Sequence, residues 1–396
     1  MRWFLVFVMA VVLVPLMAQV EDKEPIIIGE MASYTELASL AIPHRQGWQM
    51  ALEEINDSGG VLGRPLKIVS RDDKNDPAEG VKVAEELINS YDTVFIFGTI
   101  LDHVAQAVSN VAEHNEIGFM KPGGGSSHLI WQNWHPYVFR LDASTDALAR
   151  IFAADVAKLP AKRWAAIAPN YEYGRAMVAD FKKHLLALRP DIEWVGEQWP
   201  ALRKIQAGAE VTAMVRKEPE AILVVLFGKD LAAFLRENRR RGVLQDMPVV
   251  SPYLGFPNNT RPLGDELPEG WLTHGYPLHA KRPAHQEFFR RFQEKYGEMP
   301  DIAAFHAYTA VYAIAAALEK AGEPDRKKLA AAMSGLTFET PVGPVTFRKV
   351  DHQSTLGIWA GHTGFVNGEA TLPDAQYIET KDFMPSDEEI RSMRKE

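Results

Sequence analysis

The sequence predicts an α/β protein of two lobes, each built on a parallel central sheet with helices on both faces. Three observations carry the prediction. The chain has 396 residues, more than one hydrophobic core usually holds. Short β-branched runs alternate with segments whose apolar residues recur every 3.6 positions, the pattern of repeated β-α units. That alternation runs to about residue 143 and then starts again, so the second half repeats the architecture of the first.

The elements follow in order. "PIIIGEM" (Pro25–Met31) is a buried-strand pattern. Gln46 to Asn56 carries Trp48, Ala51, Leu52 and Ile55 on one helical face, and "SGGVLGRP" (Ser58–Pro65) turns the chain into the strand Leu66–Asp73. Asp76 and Pro77 are an N-cap and a first helical residue for the helix to Asn89. "TVFIF" (Thr93–Phe97) is the third strand, ended by Gly98, and a helix begins around Asp102 and His103. Gly118–Met120 is the fourth strand, followed by the glycine-rich turn "PGGGSS". In the second series, helices span Asp146–Lys158, Tyr173–Leu188 and Lys229–Gly242, and strands span Arg163–Pro169, Ala221–Phe227 and Pro248–Tyr253. Ala304–Gly322 reads as a long apolar helix whose Tyr, Phe and His belong to the core; Gly343 onward holds short strand-like runs and a charged end.

Composition narrows the function. The net charge of -9, without a basic stripe interleaved with aromatics, argues against a nucleic-acid partner. "RENRRRG" (Arg236–Gly242) is a solvated helix end whose arginines complement the dipole. The first residues, "MRWFLVFVMAVVLVPLMAQVE", read as a secretory signal peptide over residues 1–18, cut near Ala18. A retained anchor is the alternative, but the run is short for a span of ~20 residues. The chain has no cysteine, which excludes disulfides, thiolate chemistry and a lipid anchor at the cleavage point. An exported chain held in a periplasm is the expectation.

Enzymatic motifs are missing. No G-x-G-x-x-G opens a helix after the first strand, and no Walker lysine follows a glycine turn. Ser126 and Ser127 lack the G-x-S-x-G elbow, and the histidines fall at no metal-binding spacing. No metal and no cofactor is expected. A binding reading uses the same residues. Ligands of parallel α/β sheets sit beyond the carboxyl ends of the strands. The turns there include Tyr34, Asp102 and His103, the glycines Gly124 and Gly125 with Ser126, then Tyr173, Phe227 and Tyr253. Glycine backbone N–H groups can approach a solute, and the aromatic residues supply flat walls. Trp131 and Trp134, in a loop, are read as packing or as a lid.

In "GWQMALEEINDSGGVLGRPLKIVSRDDKNDP" (Gly47–Pro77), "FMKPGGGSS", "FRLDASTDA", "PNYEYGRAM" and "EGWLTHGYP" (Glu269–Pro277), occurring in that order, the chain resembles the type I periplasmic solute-binding proteins of the branched-chain amino-acid class, which deliver solutes to ABC importers. The resemblance covers almost all of the mature chain. It implies two Rossmann-like lobes joined by a three-stranded hinge, with crossovers near Ser144, Tyr276 and His352. Lobe 1 would hold residues 25–143 plus 277–352, lobe 2 residues 144–276 plus 353–385, and residues 386–396 a tail. It further implies no catalysis, a small-molecule solute, a membrane permease as partner and a monomer. A sensory protein feeding a receptor or kinase is the alternative on the same fold.

Family members hold an amino-acid carboxylate with a hydroxyl residue after strand three and the ammonium with acids of the second lobe. Here the count puts Asp102 at the hydroxyl position, where it would repel a carboxylate. Two readings stand: Asp102 caps the helix by accepting from Val104 or Ala105 N–H, or it meets an amine, amide or hydroxyl of the ligand. Tyr253 stands roughly where the second-lobe acid is expected, and Asp146, or Thr145 beside it, keeps a polar group at the first crossover. The solute class expected is therefore an amino acid, an amide or an aromatic acid.

Overall fold

The computed structural model describes residues 23–279 and 282–394; the leader assigned to residues 1–18 lies outside the described residues. The first half alternates β1 (Ile26–Ala32), α1 (Ala38–Asp57), β2 (Leu66–Asp72), α2 (Pro77–Ser90), β3 (Phe95–Gly98), α3 (Asp102–His114), β4 (Gly118–Lys121) and β5 (Val138–Arg140). The second series runs α4 (Thr145–Val156), β6 (Arg163–Ile167), α5 (Glu172–Leu188), β7 (Glu193–Gln198), α6 (Ala207–Val215), β8 (Ala221–Val224), α7 (Gly228–Arg241), β9 (Val249–Val250), α8 (Pro257–Leu263) and β10 (Leu272–Gly275). The chain then returns through α9 (Pro283–Tyr296), α10 (Ile302–Ala321), α11 (Arg326–Met333) and the hairpin β11 (Thr337–Thr340) and β12 (Gly343–Thr346). It ends in β13 (Ile358–His362), the hairpin β14 (Gly364–Val366) and β15 (Glu369–Thr371), β16 (Gln376–Ile378) and α12 (Asp387–Met393).

The two large sheets share one plan. The first has the order β2-β1-β3-β4-β5, all parallel. The second contains β7-β6-β8-β9-β10, the same order of parallel strands, and adds β13 and β16 as antiparallel edge strands. Strand order reverses between β1 and β3 and again between β6 and β8, so each sheet opens a crevice at the loops following those strands. Inner strands are apolar on both faces, as a doubly covered sheet requires: Phe95, Ile96 and Phe97 are all fully buried. Phe95 and Phe97 meet Phe288, Phe305 and Ile314 on one face, and Ile96 meets Val83, Leu87 and Val108 on the other. Trp164 packs with Phe152 and Phe181 in the second lobe, and Ile222 with Val211 and Phe234 beyond the sheet. Each such side chain contributes about 1.5–3 kcal/mol by leaving water.

Local signals behave as read in several places. Asp76 caps α2, accepting from Glu79 N–H at 2.9 Å. Gly242 ends α7 in the left-handed region with φ 65°. α10 is long and apolar enough to cross a membrane, yet it is a core helix: Ala304, Phe305, Ala310, Val311, Ile314 and Leu318 are buried against the first sheet's core. The first helix starts before the Gln46 expected for it: α1 begins at Ala38 and carries Pro43 inside it. Trp131 and Trp134 pack instead of standing free: Trp131 Nε1 donates to Asp351 at 3.1 Å, and the Arg394 guanidinium lies over Trp134, 3.9 Å from the ring centre.

The chain passes from the first sheet to the second after β5, back after β10, and over again after β12. Two of these passages run side by side: Ser354 N donates to Arg140 O at 2.9 Å, and Gln353 Nε2 donates to Asp142 O at 2.8 Å. The tail makes a fourth passage. Ile390 of α12 is fully buried in the first lobe's core, while Glu389 lies 3.6 Å from Arg150 of α4.

Candidate functional site

The loops at the carboxyl ends of both sheets converge on one cavity of about 530 Å³. From the first lobe come Thr35 and Leu37 after β1, Thr99 to Leu101 after β3, Gly123 and Gly124 after β4, and Asp142 after β5. His44 of α1 and His306 of α10 complete that wall. The second lobe supplies Tyr173, Phe227, Lys229, Tyr253, Phe256, Asn258 and Asn259, with His274 from β10. The lobes touch around the cavity. Arg203 Nη1 donates to Glu36 Oε2 at 2.9 Å, and Ser126 Oγ donates to Glu172 Oε1 at 2.7 Å. His128 Nδ1 lies 2.7 Å from the same Glu172 oxygen, and His103 sits edge-on to Tyr171.

The second-lobe wall is aromatic. Tyr253 lies at its centre, with ring centroids 5.1 Å from Tyr173, 5.3 Å from Phe227 and 6.1 Å from Phe256. Burial pushes the Tyr253 and Tyr173 phenols up, so both are neutral donors at neutral pH. The first-lobe wall is polar. Asp142 lies 3.6 Å from His306 through Oδ1. Burial pushes His274 down to about 4 and His306 down as well, against the opposing pull of Asp142, so both imidazoles are neutral. Thr99 is β-branched yet has φ 59°, a strained backbone for its type, and its buried hydroxyl has no hydrogen-bond partner among the described residues.

The glycine-rich turn rests on buried charge. Lys121 and Arg140 are both almost fully buried. Lys121 Nζ donates to the Gly124 carbonyl, and Arg140 donates to the carbonyls of Gly125 and Ser126. Lys121 Nζ also faces the Gly123 carbonyl at 3.5 Å. Across a trans peptide the next N–H points the opposite way, so the Gly124 N–H faces away from Lys121. Burial lowers the pKa of both cations, and the Asp102 carboxylate opposes that by drawing within 3.6 Å of Lys121.

Four of the residues expected to meet ligand line the cavity: Gly124, Tyr173, Phe227 and Tyr253. Six do not, and each has a physical reason. Asp102 neither caps α3 nor lines the cavity: Leu101 occupies the cap position, Asp102 is the first helical residue, and its Oδ2 accepts from Ser126 N at 2.9 Å. Gly125 is pressed against that carboxylate; a Cβ there would stand 2.1 Å from Asp102 Oδ1. The Ser126 hydroxyl is engaged by Glu172. His103 Nε2 lies 3.3 Å from the Asn75 carbonyl. Asp146 is buried inside α4; burial pushes its pKa up, but His184 at 2.6 Å and Arg150 at 2.7 Å outweigh this and hold it low. Tyr34 turns its hydroxyl onto Glu30 at 2.9 Å, because Asp72 fixes the loop by accepting from Tyr34 N. Its neighbours Thr35 and Glu36 reach the cavity instead.

Thr99 belongs to the turn after the third strand, which was expected at the cavity, whereas Asp142, His306, His274 and Asn258 line it without having been singled out from the sequence. Asp142 stands just after a strand, the place where counting from strand ends would find it. His306 sits in an apolar helix and gave no signal apart from its polarity.

A cleft between two similar sheets, lined by aromatic rings on one side and neutral polar groups on the other, defines a two-lobed solute-binding protein. The chain belongs to the periplasmic binding protein family, whose model matches residues 31–363. The family consists of non-enzymatic solute-binding proteins and implies a periplasmic location. A leucine-, isoleucine-, valine-, threonine- and alanine-binding protein of Pseudomonas aeruginosa is 27% identical over 329 residues, covering 81% of this chain and 83% of its own. The Leu/Ile/Val-binding protein of Escherichia coli is 22% identical over 364 residues, covering 90% and 94%. Among solved structures, a solute-binding protein of Rhodopseudomonas palustris in complex with 3,4-dihydroxybenzoic acid superposes with a TM-score of 0.81 at 22% identity, over 90% of this chain and 98% of its own. A leucine-binding protein of Thermotoga maritima gives 0.77 at 20% identity, over 90% and 99%.

Proposed function

We propose that the chain is the substrate-binding component of an ABC importer. It captures a small organic solute of the amino-acid, amide or aromatic-acid class between its lobes by hinge closure and hands it to a membrane permease. The observation that carries this is the cavity itself. It lies between the lobes, it is bounded by contacts from both, and its walls hold polar groups without protein partners. The named specificity of the Pseudomonas relative and the dihydroxybenzoate complex of the Rhodopseudomonas structure both support the solute classes. We further propose that the leader is cut near Ala18, that no lipid anchor is added, and that the mature chain works as a monomer.

The test is a thermal-shift panel of amino acids, amides and aromatic acids on the mature protein. A true ligand at 100 times its Kd stabilises the fold by about 2.7 kcal/mol. Small-angle scattering with that ligand should show a narrower, more compact distribution of lobe separations. Failure of every compound and of a metabolite extract to move either readout defeats the proposal.

A further inference from the structure

We propose, resting on the reading above of solute capture between the lobes but replacing its carboxylate-bearing solute classes, that the solute is an organic cation: a protonated amine on a flat apolar body, received by Asp142 of the first lobe. The cavity's charges lead there. Among the other charged lining residues, Arg203 and Glu36 pair with each other, Asp230 accepts from Ile205 N at 3.4 Å, and Lys229 stands exposed at the rim. Asp142 differs. Its Oδ1 accepts from Ala143 N at 2.7 Å, while Oδ2 receives no hydrogen bond from a described residue. The space before Oδ2 is kept open by Gly124, where a Cβ would stand 2.9 Å from that oxygen.

The groups nearby call for a donor. Asn258 lines the cavity with a buried Oδ1 that has no partner among the described residues. The histidines beside Asp142 are neutral, and the buried cations Lys121 and Arg140, which attract it, give their hydrogen bonds to the carbonyls of Gly124, Gly125 and Ser126 and none to Asp142 Oδ2. A ligand carboxylate at this wall would meet Asp142 at close range in a low-dielectric site and be repelled. An ammonium would be attracted, and the rings of Tyr173, Phe227 and Tyr253 opposite offer both stacking and cation–π contact. The cavity, about 530 Å³, lies within the range of small-molecule sites, roughly 300–1,000 Å³, and has room for a ring-bearing amine.

Calorimetric titration of the ligand-stripped mature protein tests this with four probes: tryptamine, phenylalanyl-phenylalaninamide, leucine and 4-hydroxybenzoate. The amines should bind more tightly than the two others. Asp142→Asn keeps the acceptor for Ala143 N and should raise the amine Kd at least tenfold. Gly124→Ala, which leaves the charge in place and sets a Cβ 2.9 Å from Asp142 Oδ2 and 3.1 Å from the Ala143 carbonyl oxygen, should do the same. Tighter binding of leucine or 4-hydroxybenzoate than of either amine, or unchanged amine binding in Asp142→Asn, overturns the inference and leaves solute capture standing. Binding of none of the four, nor of any component of a cell extract, overturns both.

Discussion

Replacing Asp102 by alanine should cost stability and leave the cavity walls intact. Asp102 is 5% exposed and Lys121 1%, so the ammonium lies in a medium where an unpaired charge is expensive. The carboxylate is 3.6 Å from Lys121 Nζ and also accepts the Ser126 N–H. Breaking a buried pair by deleting one partner costs about 3–5 kcal/mol, because the survivor keeps its desolvation penalty. The loss of the Ser126 acceptor lies within that range and is not additive to it. Asp102→Ala should therefore lose about 3–5 kcal/mol in urea unfolding followed by the fluorescence of the chain's nine tryptophans. Adding Lys121→Met removes the stranded charge and should restore at least half of the loss. A single variant within about 1 kcal/mol of the parent, combined with a large loss of ligand affinity, would refute the reasoning and make Asp102 a ligand contact.

Three other outcomes follow from the structure. Burial lowers His135, His274 and His352 to about 4 and His285 to about 3, all below their unfolded value, so the unfolded chain binds more protons between those values and 6.5. Stability should be full above pH 6.5 and fall by several kcal/mol as pH drops toward 4, the raised carboxyls of Asp73 and Asp301 and the raised His128 opposing in part; a melting temperature flat from pH 7 to pH 5 would contradict this. Arg203→Ala breaks a half-exposed pair with Glu36 and should weaken ligand binding by no more than about 1 kcal/mol, read as faster dissociation in stopped-flow fluorescence. Ile390→Ala empties a fully buried site in the first lobe's core and should cost about 2–5 kcal/mol in the same urea titration, whereas a freely solvated tail would show no change.

The strands and helices were legible because their signals are local. The apolar run at Phe95–Phe97, the cap at Asp76 and the glycine at 242 each act within a few residues. The start of α1 was hidden by Pro43, which sits inside the helix and reads in sequence as a break. The antiparallel edge of the second sheet was also hidden, since β13 and β16 are short and pair only through tertiary contact. The site was legible where it depends on position after a strand, as with Phe227 and Tyr253. It failed where a polar residue's partner lies far along the chain. Asp102 looked like a cap or a ligand contact because nothing in the sequence announces that Lys121 and Ser126 stand over it. His306 was hidden by the apolar helix that carries it.

The balance of forces across the cleft says why a solute should govern closure. Of the contacts between lobes, Glu36–Arg203 is about half exposed on both sides, and such pairs are worth about 0–1 kcal/mol; the Ser126–Glu172 hydrogen bond adds about 0.5–1.5 kcal/mol. Against them stand the groups that closure would dehydrate, among them the Thr99 hydroxyl and Asn258 Oδ1, each costing about 1–3 kcal/mol if buried without a partner. Protein contacts alone therefore hold the lobes together weakly. A solute that satisfies those groups and covers the rings of Tyr173, Phe227 and Tyr253 changes the sign of the same terms. Its binding energy and the closing energy are then one quantity, which is how a carrier can grip its cargo and still let it go when another surface takes hold of the lobes.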